Sequence, residues 1–440
     1  VRHTCAFFFP LLVTCCMLVW PLPPADAADL LSLYRAVVND NPTLSARRYG
    51  IERARADAEQ AASRLYPQVS MQTSVSRNEY SEGRIDDRYP GRRTTFQARQ
   101  SLIDLPSYYR SEGAKYAISQ AEQEAQQSRS ELFGQIADQY LNALQADDEL
   151  MQLQSEKEAA QKQVDRLRAM REREMVKITD LTEAIAWLQQ VVTREIDAVN
   201  KGEAARARLR ELTGRDPGIL AMMVLSEFPS VPGTAEHWVG IARETNPAVN
   251  ARREALRASQ RAADAARSEH YPQLSFSLLR NQSNLAYDNI PQRAYTVDSA
   301  ALELRIPIYE GGRVNAAEAS ALAQQAIEKE QLDALLREVE RDTRLIYASA
   351  QANRARIEST NAEVDALTQT VRAQERGYEL GATTVINVLD ARRRLLRSRV
   401  DQSRARYDYL RDLIGLSARA GKLTEAEVAD FNRWLGPSGS

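Results

Sequence analysis

The sequence predicts a mixed α and β membrane protein built from two copies of one unit. Residues 41–70 and 246–275 match in register at an offset of 205, with Asn41-Pro42, Ala46-Arg47-Arg48 and Tyr66-Pro67-Gln68 recurring as Asn246-Pro247, Ala251-Arg252-Arg253 and Tyr271-Pro272-Gln273. Four stretches, two per copy, alternate apolar and polar residues, the period of a strand with one apolar face. After each pair comes a helical run of 64 residues, 110–173 and 313–376, with almost no Gly or Pro. A long-period repeat of this kind means one supersecondary unit used twice.

Composition narrows the function. Lys+Arg is 58 against Asp+Glu at 60, a net charge of -2, so the basic excess of a nucleic-acid binder is missing. Mean hydropathy is -0.48, and no run of about 18 apolar residues follows the N-terminal segment, which excludes a bundle of transmembrane helices. It does not exclude a transmembrane β-barrel, whose alternating strands barely raise hydropathy.

The elements follow in order. Arg2 and His3, the apolar run Ala6 to Trp20, Pro21 to Pro24 and the small-residue site Ala25-Asp26-Ala27 read as a signal peptide over 1–27, cleaved before Ala28. Cys5, Cys15 and Cys16 all lie in it, so the mature chain is expected to be thiol-free. Cys15 follows Thr14 in mid-run, a poor site for lipidation.

Repeat 1 covers 28–213: a helix of about 35 residues, strands 67–77 and 94–104, long helix 110–173 and helix 178–213. The first helix ends at Tyr66-Pro67, because the residue before proline disfavours helix. Val69, Met71, Thr73 and Val75 form one strand face, and Phe96, Ala98 and Leu102 the next, with a polar loop expected near Glu79–Arg93. A connector spans 214–234. Repeat 2 covers 235–417: a helix, strands 272–282 and 295–309, long helix 313–376 and helix 383–417. Its strand faces are Leu274, Phe276 and Leu278, then Ala300, Leu302, Leu304, Ile306 and Ile308. The tail, 418–440, carries an acidic helix-like stretch and a Gly-Pro-Ser-Gly-Ser end expected to be disordered. Each long helix is about 95 Å at 1.5 Å per residue. The two shorter helices of each copy sum to nearly the same length, so stacked end to end they would match one long stave.

Four strands cannot close a barrel, for which about eight is the practical minimum. An open sheet in lipid would leave its edge backbone groups unsatisfied. Three chains give twelve strands, with a cylinder of Ala-rich helices continuing below. The alternative, a periplasmic adaptor or coiled-coil structural protein, accounts for the helices but not for paired strands at matched places in both copies. No catalytic constellation is present: the histidines are His3, His237 and His270, and no Gly-rich phosphate loop or metal-spaced ligand set occurs. The chain is therefore not expected to be an enzyme or to hold a cofactor or metal.

The repeat, the Tyr-Pro strand starts, Pro307-Ile308-Tyr309-Glu310-Gly311-Gly312 and the run from Gly377-Tyr378-Glu379-Leu380-Gly381-Ala382 to Asp390-Ala391 resemble the TolC family of outer-membrane efflux and secretion channels, over about 29 to 435. The resemblance implies a homotrimer with a twelve-stranded β-barrel, four strands per chain, in the outer membrane of a Gram-negative bacterium, continuous with a long periplasmic α-helical barrel. It implies a passive exit duct for small toxic molecules or secreted proteins. A periplasmic adaptor (membrane fusion) protein would link it to an inner-membrane ABC or RND-type transporter.

Candidate site residues lie at the two helix breaks, 172–183 and 377–390. At an offset of 207, Asp180 pairs with Asn387 and Glu183 with Asp390. Asn387 and Asp390 are three apart and share a helix face, so a trimer would present a carboxylate ring there, of the kind that favours cations. Spacing alone equally allows Asp180 and Asp390 to be cap or first-turn acids facing helix dipoles. The resemblance implies a constriction of two aspartates, and Asn387 in place of the first makes it less negative. It also implies polar links that hold the tip closed, one between Asp180 and Tyr378. Another uses Arg where this chain has Thr383, for which Arg171 or Arg173 are the candidate substitutes. Adaptor docking is implied at Glu174 and Met175 and at Leu380, Gly381 and Ala382, although Glu174 stands where Gly is expected. The Arg392-Arg393-Arg394 run reads as a solvated or inter-helix face.

Overall fold

Asn41 and Asn246 each join two helices end to end. The computed structural model describes residues 29–434 apart from 83, 84, 224–227, 287, 288 and 290. The expected signal peptide and the Gly-Pro-Ser-Gly-Ser end lie outside the described residues. The first helical stretch is two helices, α1 (Leu30–Asp40) and α2 (Pro42–Ser63), rather than the single helix expected, and the second copy repeats this as α5 (Ala235–Thr245) and α6 (Pro247–Ser268). The cause is the Asn-Pro pair. Proline forces the preceding Asn out of helical backbone, and the Asn then caps the following helix through its side-chain oxygen. The amide nitrogen of the same side chain donates elsewhere. Asn41 reaches the Leu212 carbonyl at 2.9 Å, at the end of α4 (Ile178–Thr213). Asn246 reaches the Arg419 carbonyl at 3.0 Å, at the end of α8 (Val385–Arg419). One side chain thus satisfies orphan donors of one helix and an orphan carbonyl of another.

The consequence is a matched pair of staves. α4 (36 residues) and α2 (22 residues) both pack along α3 (Leu105–Glu172, 68 residues). α8 (35 residues) and α6 (22 residues) do the same along α7 (Arg313–Glu379, 67 residues). At 1.5 Å per residue each long helix runs about 100 Å. Glu269 ties their starts together, accepting from Arg110 at 2.7 Å and Arg313 at 2.8 Å.

The strands, β1 (Gln68–Glu82), β2 (Ile85–Ile103), β3 (Gln273–Leu285) and β4 (Pro291–Arg305), form one antiparallel sheet in the order β1-β2-β3-β4. Its two edge strands come from different copies. Register places the apolar residues in rows: Val69 opposite Ala98, Ala98 opposite Leu278 and Leu278 opposite Ala300. Met71 opposes Phe96, Phe276 opposes Leu302 and Leu274 opposes Leu304. This face is open in the protomer (Val69 is 77% exposed), as a lipid-facing surface must be. Of the loop expected near Glu79–Arg93, residues 79–82 and 85–93 are paired strand instead, with Asn78 opposite Tyr89 and Glu79 opposite Arg88. Backbone pairing needs no apolar alternation outside lipid, and Arg88 donates twice to Glu79, at 3.0 and 2.7 Å.

The main core lies midway along the helices, around Phe133, Tyr140, Tyr407 and Tyr409. Three tyrosines fasten the connector: Tyr140 donates to Ala221 O at 2.9 Å, Tyr347 to Gly233 O at 2.9 Å, and Tyr409 to Pro229 O. The acidic stretch of the tail is α9 (Glu425–Asn432), which buries Val428 and Phe431 in this core.

Candidate functional site at the helix tips

Each long hairpin turns at its far end through the same backbone motif. After α3, Met175 N donates to Met170 O and Glu174 N to Arg171 O, both at 2.9 Å. After α7, Ala382 N donates to Gly377 O at 2.8 Å and Gly381 N to Tyr378 O at 3.1 Å. This paired bonding ends a helix through one left-handed residue, normally Gly. In the second tip that residue is Gly381 (φ 74°); in the first it is Glu174 (φ 57°). The geometry asks for glycine at Glu174, the position where the family resemblance implies one. Met175 and Leu380 project outward from the two turns, each about two-thirds exposed.

The candidate gate residues do not form one cluster. Asn387 Nδ2 donates to Thr383 Oγ1 at 2.9 Å, and Thr383 Oγ1 donates to Gln374 Oε1 at 3.0 Å. A neutral chain within the second hairpin thus occupies the place where an arginine was expected. Arg171 is spent on the Val176 carbonyl at 3.3 Å, a local closure of the first tip. The Tyr378 hydroxyl is buried with no hydrogen-bond partner among the described residues, so no bond to Asp180 forms within the chain. Burial pushes that hydroxyl's pKa up; Arg166, stacked over the ring at 5.8 Å, opposes the shift, and the charge of Asp180 adds to it. Asp180 lies in the first turn of α4, where its charge faces the helix N-terminus. Asp390 does not, since α8 begins at Val385 and has no acid in its first turn.

Glu183 and Asp390 are brought together by a residue that was not among the site candidates. Arg393 reaches Asp390 Oδ1 at 3.2 Å and Glu183 Oε2 at 3.5 Å. Its guanidinium lies over the ring of Trp187, 5.4 Å from the centroid. The Trp187 indole N–H donates to Glu156 Oε1 of α3 at 3.1 Å, and the ring is only 1% exposed. Arg392 beside it bonds Glu375 of α7 and comes within 3.7 Å of Glu156. Two adjacent arginines on α8 therefore hold it to α3, α4 and α7. Periodicity placed them on a helix face but gave no sign of the helix opposite.

Among the described residues no group of acids, histidines or cysteines is placed to hold a metal, and no helix is long and apolar enough to cross a membrane.

Comparison with known proteins agrees with this geometry. A family model described as outer membrane efflux protein matches residues 33–215 and 238–422, one match per repeat. Outer membrane protein TolC of Vibrio cholerae is 25% identical over 414 residues, 93% of this chain and 94% of that protein. Alkaline protease secretion protein AprF of Pseudomonas aeruginosa is 25% identical over 360 residues, 81% of this chain and 74% of that one. The solved structure of CusC superposes with a TM-score of 0.81 at 17% identity, covering 92% of this chain and 95% of that one. The Campylobacter jejuni CmeC outer membrane channel gives 0.80 at 16% identity, covering 92% and 90%. The family match falls on both repeats, and the open four-stranded sheet needs further copies to become a barrel. The chain thus belongs to the outer membrane efflux protein family, trimeric channels of the outer membrane that extend into the periplasm and serve efflux and type I secretion.

Proposed function

We propose that this chain is a passive exit duct gated at its periplasmic tip, with Asp180, Glu183, Tyr378, Thr383, Asn387 and Asp390 at the constriction. The observation that carries the reading is the contact of Arg393 with Glu183 and Asp390, which joins the two hairpins beside that constriction. Opening requires the second hairpin to move against the first, and a half-exposed ion pair is a contact that such movement can break and remake. Arg393 also offsets part of the acid charge, and Asn387 replaces a second acid, so the ring has a weaker cation preference than two full carboxylate rings would give.

The transporter supplies the energy in this reading. Its partners in this reading are a periplasmic adaptor and an inner-membrane ABC or RND-type transporter. The adaptor sits on the tips, where Met175 and Leu380 project beside Glu174, Gly381 and Ala382. The cargo is small toxic molecules, secreted proteins or both. Planar-bilayer recording tests the gate: trivalent cations added on the tip side should block current, and Asp390→Asn should weaken the block several-fold. Block unchanged in Asp390→Asn would remove Asp390 from the constriction.

A further inference from the structure

The outward face of the sheet ends abruptly in arginine on the side away from the helices. Val69, Met71, Thr73 and Val75 on β1 are followed on the same face by Arg77. On β2, Arg92 stands directly opposite Val75, and Arg77 stands opposite Pro90 one row further out. The strands alternate without a bulge across this hairpin, so both arginines share the face of the apolar residues. A barrel strand advances roughly 2.6 Å along the membrane normal per residue when tilted by about 40°. Arg92 then lies about 16 Å and Arg77 about 21 Å beyond the Val69 row, near the outer edge of an apolar band about 25 Å tall.

Their neighbours on that face are already paired. Arg280 donates to both oxygens of Asp298 at 2.7 and 2.8 Å, and Arg88 donates twice to Glu79. Arg77 and Arg92 are exposed and have no side-chain partner among the described residues. Pairing β1 with β4 of another copy uses strand edges and leaves this face open.

We propose that Arg77 and Arg92 form a binding site for the phosphate of an anionic outer-leaflet lipid, of the phosphorylated glucosamine type found in lipopolysaccharide. Two guanidinium groups at diagonal positions roughly 7–8 Å apart clasp one phosphate between them. Val75 and Met71 below them receive the acyl chains. The site recurs three times around the trimer and fixes the barrel's height in the membrane. It is independent of the tip and of the gating reading.

The test is native mass spectrometry of the detergent-solubilised trimer titrated with bis-phosphorylated lipid A, with dephosphorylated lipid A and with inorganic phosphate. The expected result is saturable binding of the phosphorylated lipid alone, weakened about tenfold or more in Arg77→Gln/Arg92→Gln. Arg77→Lys/Arg92→Lys should retain part of it, and the inward-facing Arg99→Gln should retain all of it. Intact trimer mass separates loss of binding from misfolding. Equal binding of the dephosphorylated lipid, equal binding by the double Gln variant, or equal competition by inorganic phosphate would each overturn the proposal.

Discussion

Replacing Arg393 by Gln should loosen the tip without unfolding it. Its guanidinium contacts two carboxylates at 3.2 and 3.5 Å, and the side chain remains 31% exposed, so solvent screens the pair. Ion pairs of that exposure contribute up to about 1 kcal/mol. The stack on Trp187 adds about 0.5–1 kcal/mol. The total is at most roughly 1.5–2 kcal/mol per protomer, which shifts the tip equilibrium by up to about 10–30-fold, since 1.4 kcal/mol is a factor of ten. If three protomers open together, the factors multiply. The assay is single-channel recording of the purified trimer at low salt, where surface pairs are least screened. Open probability should rise in Arg393→Gln and in Glu183→Gln, and the double variant should show less than the sum of the two. Raised salt should narrow the gap between wild type and variant. Open probability within twofold of wild type, or strict additivity, would refute the assignment of Arg393 as the tie.

Three further outcomes are expected. Glu174→Gly should stabilise the trimer by about 1 kcal/mol per protomer in thermal melting, because a non-glycine residue at positive φ costs about 1–2 kcal/mol; Gly381→Ala, with open space around the added Cβ, should lose a similar amount. Asn246→Ala should cost about 1–2 kcal/mol in the same melt, since it removes both the α6 cap and the donor to the Arg419 carbonyl. Asp148 is raised above its ordinary pKa of 3.8 chiefly by burial, against the hydrogen bond from Tyr407 at 2.7 Å. An acid raised in the folded state stabilises it below the unfolded pKa, and that stability is lost as pH rises through the folded value. Asp148→Asn should therefore melt higher than wild type at neutral pH and remove the fall in stability that wild type shows as pH rises above the ordinary carboxyl value.

The repeat, the strand faces and the tip turns were legible in the sequence because each depends on local order: alternation, Tyr-Pro punctuation, and a glycine at one tip with Glu174 at the other. What was not legible depends on a partner from far along the chain. Asn41 and Asn246 read as the start of a conserved-looking repeat, but their second hydrogen bond goes to a helix end more than 170 residues away, at Leu212 and Arg419. The hairpin beyond the apolar band looked like loop because its residues are polar, yet backbone pairing there does not need apolar side chains. Arg393 read as a solvated or inter-helix position because helical spacing fixes a direction and says nothing about what stands there. Thr383 was noticed as a departure, but that Gln374 and Asn387 complete a neutral chain around it follows only from the turn geometry.

The same magnitudes say how the tip can move. Val385 and Leu389 on α8 are each 1% exposed and pack with Trp187, Leu167 and Val164 of the first hairpin. Burying such a side chain contributes about 1.5–3 kcal/mol, so these two together contribute about 3–6 kcal/mol and outweigh the Arg393 contacts. Separating the hairpins along the seam would cost more than breaking the ion pairs, so opening by separation is disfavoured. A small rotation or slide of α8 along the first hairpin that keeps Val385 and Leu389 buried breaks only the weaker set. The two kinds of substitution should therefore diverge. Arg393→Gln should raise open probability and cost at most about 1.5–2 kcal/mol in melting, whereas Leu389→Ala should cost about 2–5 kcal/mol of stability in each protomer without opening the tip. If Leu389→Ala instead left melting unchanged and opened the channel as Arg393→Gln does, the seam would itself be part of the gate and the pivot would have to lie nearer the core at Tyr407 and Tyr409.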